Sequence, residues 1–81
     1  MIDLVRQMID RHGRLPAPAR DLSTNADLYE IGLTSFAAVQ VMLALEEALG
    51  LQFPERMLRR QTFATIGSIV FCLRQLESKA A

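Results

Sequence analysis

Ser35 is the residue of this 81-residue chain whose setting invites chemistry. It follows Asp27-Leu28-Tyr29-Glu30-Ile31-Gly32-Leu33-Thr34 and opens a run rich in Ala, Leu, Met, Gln and Glu. These are good helix formers, and they predict unbroken helix from Ser35 to about Leu49. Gly32, just upstream, allows a tight turn with positive φ at little cost. A serine at such a point meets the first amide groups of the helix, which have no internal partners. That end favours a negative group, phosphate above all. Two roles are open to the serine: its oxygen can cap the helix, or its hydroxyl can carry a phosphate ester.

Other reactive patterns are missing from the sequence. There is no phosphate-cradling glycine loop and no metal-ligand cluster. No nucleophile stands beside a histidine with a third orienting group. His12 is the one histidine, and its place at a helix end reads as surface. Cys72 is the one cysteine, which excludes an internal disulfide and suggests a small buried hydrophobe. Asp27 and Glu30 lie near Ser35 in sequence, but two carboxylates alone make a weak case for catalysis. A chain of this size has too thin a core to enclose a pocket, so no catalytic activity of its own is expected.

The elements that must position Ser35 follow from periodicity and breakers. Ile2, Val5, Met8, Ile9 and His12 form an apolar stripe, with Asp3, Arg6, Gln7, Asp10 and Arg11 opposite, so Ile2 to His12 is predicted as a first helix. Gly13, Pro16 and Pro18 end it. A long connection from Arg14 to Thr34 follows, with a short helical turn over Ala26 to Ile31 and with Leu15, Leu22, Leu28, Ile31 and Leu33 as anchors. In the helix from Ser35, Val39, Met42, Leu45 and Leu49 are read as the core stripe. Phe36, Gln40, Leu43 and Glu47 form a second stripe continuous with Ser35, which is either core or a face kept for partners. Glu55 to Arg60 is at best a short helix, carrying Arg56, Arg59 and Arg60. These arginines are either a solvated face or a contact for an acidic group. Thr62 or Thr65 caps a last helix whose core stripe is Ile66, Ile69, Val70, Leu73 and Leu76, with residues 78–81 frayed. Together these elements predict an all-α, up-and-down bundle in a single domain, residues 1–81.

Nine basic and nine acidic residues cancel, which argues against nucleic acid as the main ligand. No run is long and apolar enough for a membrane span, and the start lacks a signal-peptide core, so a cytoplasmic monomer is expected.

Asp27, Leu28, Gly32, Leu33 and Ser35, with the apolar helix ending in Leu45-Glu46-Glu47, resemble the acyl carrier protein family. Thr34 stands where that family has an aspartate, and Phe36 where it has a leucine. The likeness spans nearly the whole chain, and Gln61 to Ile66 resembles the segment that introduces the family's final helix. The resemblance implies an acyl-carrier-protein-like bundle of three main helices plus a short third helix near the modified serine. It also implies that Ser35 bears 4′-phosphopantetheine, moved from coenzyme A by a phosphopantetheinyl transferase. The thiol of the arm then holds cargo as a thioester. The second stripe becomes a docking face, and Thr34, Phe36, Gln40, Leu43, Glu47 and Arg59 become candidate partner contacts. Arg56, Arg59 and Arg60 also become candidates for the phosphate of the arm.

The stretch Gly32 to Leu43, with Phe53-Pro54 and Phe63-Ala64, looks most like stand-alone aminoacyl carrier proteins loaded by ligases resembling class II seryl-tRNA synthetases. That implies a small amino acid such as glycine or alanine, a dedicated ligase and a downstream acyl-accepting enzyme. A fatty acyl, polyketide or peptidyl carrier is the alternative within the family. Outside it stands an unmodified helical interaction module in which Ser35 is only a cap. A DNA-binding helix pair is disfavoured by the zero net charge.

Overall fold

The structure, a computed structural model, describes residues 1–80, with side chains through Ser78. Its elements are helix α1 (Ile2–His12), a 3₁₀ turn (Ala19–Asp21), α2 (Leu28–Ile31), α3 (Ser35–Leu49), 3₁₀ turns at Glu55–Met57 and Arg60–Phe63, and α4 (Ile66–Ala80). The fold is the expected helical bundle, with α1 packed against both α3 and α4. Val5, Met8 and Ile9 of α1 meet Ala37, Ala38, Val41 and Leu45 of α3 and Ile66, Ile69 and Leu73 of α4 in one buried cluster.

Three expectations need correction. The core face of α3 is built on Ala37, Ala38, Val41 and Leu45; Met42 and Leu49 are half-buried, and Val39 is exposed. The helix is apolar nearly all round, so periodicity alone left its rotation open. Small alanines on the inner face let the neighbouring helices approach closely. The short third helix is instead two 3₁₀ turns, because Leu58 (φ −85°, ψ 65°) and Arg59 (φ −135°, ψ 159°) leave helical geometry between them. Of the end expected to fray, residues 78–80 continue α4, and Ala81 lies outside the described residues.

The long connection is fastened at several points. Leu28 and Leu33 are buried, and Leu15, Leu22 and Ile31 pack against the core. Ala19, also fully buried, donates its amide to Asp10 Oδ1 across 2.7 Å. Arg6 Nη1 donates to the carbonyls of Ala19 and Leu22, the latter at 2.8 Å. Thus two residues assigned by sequence to the solvent face of α1 bind the loop. Farther on, Gly67 N donates to Thr24 O at 3.0 Å, and Leu28 N to Ala64 O at 2.7 Å. The helix starts and stops are equally specific. Thr65 Oγ1 accepts from Ser68 N at 2.9 Å while Ser68 Oγ accepts from Thr65 N at 3.1 Å, a reciprocal cap for α4. Gly50 ends α3 in the left-handed region (φ 64°, ψ 37°), and Glu46 Oε2 accepts from Phe53 N at 2.7 Å, turning the chain back.

Asp10→Ala strips a buried amide of its acceptor. It is expected to destabilise the protein by about 2 kcal/mol in urea unfolding, the cost of an orphaned buried donor. Amide exchange at Ala19 should speed up beyond that of the α3 core.

Candidate functional site

Asp27 begins the site by capping α2: its Oδ1 accepts from Tyr29 N at 2.9 Å and Glu30 N at 3.3 Å. Gly32 then reverses the chain at φ 135°, a conformation that side-chain-bearing residues rarely adopt. Its amide bonds back to Leu28 O, as does that of Leu33 at 2.9 Å. The buried Leu33 anchors the turn, and the next residue starts α3.

That residue is Thr34, and it is the cap. Thr34 Oγ1 accepts from Ala37 N at 3.0 Å, and its carbonyl accepts from Ala38 N at 2.9 Å. Ser35 occupies the first helical position, exposed, with its hydroxyl uncommitted to the cap. No acidic residue lies in the first turn, so the positive end of the α3 dipole is left for another anion. Of the two roles open to Ser35, capping has been taken by its neighbour.

Around Ser35 lies an open groove of about 310 Å³, lined by Tyr29, Ala38, Val39, Met42, Leu58, Arg59, Arg60 and Phe63. Ala38, Val39 and Met42 come from α3, and Leu58, Phe63 and two guanidinium-bearing residues come from the segment after the Glu55–Met57 turn. Arg60 stacks on Tyr29, its Cζ 3.8 Å from the ring centre. Burial pushes the Tyr29 phenol above its ordinary pKa, Arg60 partly offsets this, and Asp27 adds to the rise. Arg59 is exposed and donates Nε–H to the Arg56 carbonyl at 2.8 Å. Phe53 and Phe63, with ring centres 5.5 Å apart, pack behind this segment.

Of the residues singled out in sequence, Arg59 and Arg60 share the groove with Ser35, while Arg56 does not line it. Phe36 (63% exposed), Leu43 and Glu47 are exposed along α3, with Gln40 half-buried between them. Reasoning from sequence missed Tyr29, Val39 and Leu58 as groove residues. Val39 had been assigned to the core, and Tyr29 and Arg60 are brought together only by the fold. Glu46, next to Glu47, turns to the loop and accepts from Phe53 N. Cys72 is half-buried beside the exposed Phe71, on a second groove away from Ser35.

The chain is thus a small helical bundle with an uncommitted hydroxyl at an exposed helix start. The phosphopantetheine attachment site family matches residues 3–73, and the chain belongs to this family of carrier proteins. It is 45% identical over 65 residues, 80% of this chain and 78% of the relative, to an aminoacyl carrier protein of Agrobacterium fabrum. A carrier protein of Agrobacterium tumefaciens, solved in complex with an engineered Bradyrhizobium japonicum glycine:[carrier protein] ligase and AMP, superposes with a TM-score of 0.88. That match has 40% identity and covers 91% of this chain and 99% of the other. A solution structure of the A. tumefaciens protein ATC2521 matches all of both chains at 38% identity and a TM-score of 0.76. Membership brings 4′-phosphopantetheine as the prosthetic group. The residues present fit it: an uncommitted hydroxyl, a helix start without an acid, and a groove lined by apolar side chains and two arginines.

The division of labour between the adjacent hydroxyls has a thermodynamic signature. Thr34→Ala should cost about 1 kcal/mol of stability, the usual loss for an N-cap. Ser35→Ala should stay within about 0.5 kcal/mol of wild type, as for an exposed position without partners. Urea unfolding of both variants measures the difference.

Proposed function

We propose that Ser35 is the attachment point of 4′-phosphopantetheine and that the chain carries a small amino acid, glycine or alanine, delivered by a dedicated ligase. The observation that carries the first part is the cap made by Thr34, which leaves the Ser35 hydroxyl exposed at the positive end of α3. The helix dipole and the free first-turn amides favour the negative charge of a phosphodiester there. When bound, the arm supplies a thiol that holds an acyl group as a thioester. The chain itself catalyses nothing in this reading: it tethers the cargo and so raises its effective concentration at each enzyme visited. The aminoacyl assignment is supported by the likeness to an aminoacyl carrier and to a carrier solved with a glycine ligase.

Phe36, Gln40, Leu43 and Glu47, with Thr34 and Arg59 at the Ser35 end, form the docking face in this reading. Exposed Phe36 and Leu43 bring apolar surface beside the attachment point without belonging to the core. The partners are a phosphopantetheinyl transferase, the ligase and a downstream acyl-accepting enzyme. The named face carries one acid, Glu47, and one base, Arg59, among apolar and neutral residues, which fits a dedicated apolar contact.

Incubation with coenzyme A and a broad-specificity phosphopantetheinyl transferase should add one phosphopantetheine to the wild type and none to Ser35→Ala, read by intact mass. Addition of glycine, ATP and the B. japonicum ligase should then add one glycyl group. Phe36→Ala should accept the arm normally. Its aminoacylation should fall about tenfold, the effect of losing roughly 1.4 kcal/mol at an aromatic anchor. Loading of Ser35→Ala would overturn the site assignment, and a loaded wild type inert to every amino acid would overturn the aminoacyl reading.

A further inference from the structure

Arg59 and Arg60 are exposed cations without an acidic partner: among the described residues the ion pair within reach is Arg20–Asp21, at 3.9 Å, elsewhere on the surface. Both nevertheless line the same groove as Ser35. Arg60 is held there by its stack on Tyr29. Stacking uses the flat face of a guanidinium and leaves its N–H edge free to donate to two oxygens at once. The backbone of Tyr29 is held, since its amide is bound by Asp27 and the preceding Leu28 is buried and bonded to Ala64. Arg59 spends its Nε–H on the Arg56 carbonyl, which steadies the side chain and leaves the Nη groups available. The groove therefore offers two partly pre-arranged donors among the apolar side chains of Val39, Met42, Leu58 and Phe63.

We propose that Arg59 and Arg60 bind the phosphodiester of the arm on Ser35 and thereby lay its branched, methyl-bearing first segment into the groove against Val39, Met42 and Leu58. The inference rests on Ser35 as the attachment point and adds a resting position for the arm. A phosphodiester carries one negative charge over two free oxygens, which suits an arginine edge. The methyls beyond it suit the apolar side chains, and a groove of about 310 Å³ is of small-ligand size. Because both arginines are exposed, the hold is salt-sensitive and releasable, as a carrier that must pass its arm to enzymes requires.

The test uses the holo protein, with loading first verified by mass, so that failure of the attachment reading is seen separately. With a ¹³C-labelled arm, isotope-filtered NOE spectra at low salt should show contacts from the arm's methyls to Val39, Met42 and Leu58. The ³¹P resonance should differ from that of free phosphopantetheine. In the Arg59→Gln/Arg60→Gln double variant, driven to full loading with excess transferase and checked by mass and by circular dichroism, the NOE contacts should vanish and the ³¹P resonance should move to the free position. Raised salt should do the same in the wild type. A loaded wild type without these contacts, or a double variant that keeps them, would overturn the proposal.

Discussion

Leu28 donates its amide to the carbonyl of Ala64 across 2.7 Å, and its side chain is fully buried. This crossing joins the connection that leads to Ser35 with the segment that carries the arginines. On one side of it, Tyr29 and the turn at Gly32 are set in place, and with them the start of α3. On the other, the Arg60–Phe63 turn is drawn against Tyr29. A buried amide needs an acceptor, and here the acceptor comes from the far side of the site. The groove is therefore a product of the core, and its two walls cannot drift apart without breaking that bond.

Within this frame, two neighbouring hydroxyls differ. Thr34 satisfies the helix start, and the Ser35 oxygen stays in solvent. One residue serving as both cap and attachment point would face a conflict, because a serine oxygen bound to a backbone amide is a poorer candidate for modification. The loop ahead of α3 carries no comparable burden of helix packing. It relies on Asp10, Arg6 and the buried Ala19 to hold its first half, and on Leu28 and Leu33 to hold its second. That arrangement fits a thin core, where polar ties to buried backbone groups supplement a limited apolar area.

Much of this was legible in the sequence. The bounds of α1 and α3 follow from helix formers framed by glycines and prolines, and Gly32 and Gly50 stand where the backbone takes positive φ. The family pattern around Ser35 was readable because its spacing is local. Which of the two adjacent hydroxyls would cap α3 was not readable, since a shift of one residue costs a helix start little. The rotation of α3 escaped for a different reason: Val39 and Val41 are equally apolar, and only packing against α1 turns one inward and leaves the other beside Ser35. The stack of Arg60 on Tyr29 depends on tertiary structure alone, as do the loop ties of Arg6 and Asp10, which look like ordinary solvent-face charges in a helical pattern.

If Thr34 is committed to the helix, the arm belongs on Ser35. Fragmenting the loaded wild-type protein in a mass spectrometer locates the added group. Phosphopantetheine is expected on Ser35 alone, with Thr34 unmodified. The group on Thr34 or any other hydroxyl, or no loading while a control carrier is loaded, would contradict that expectation.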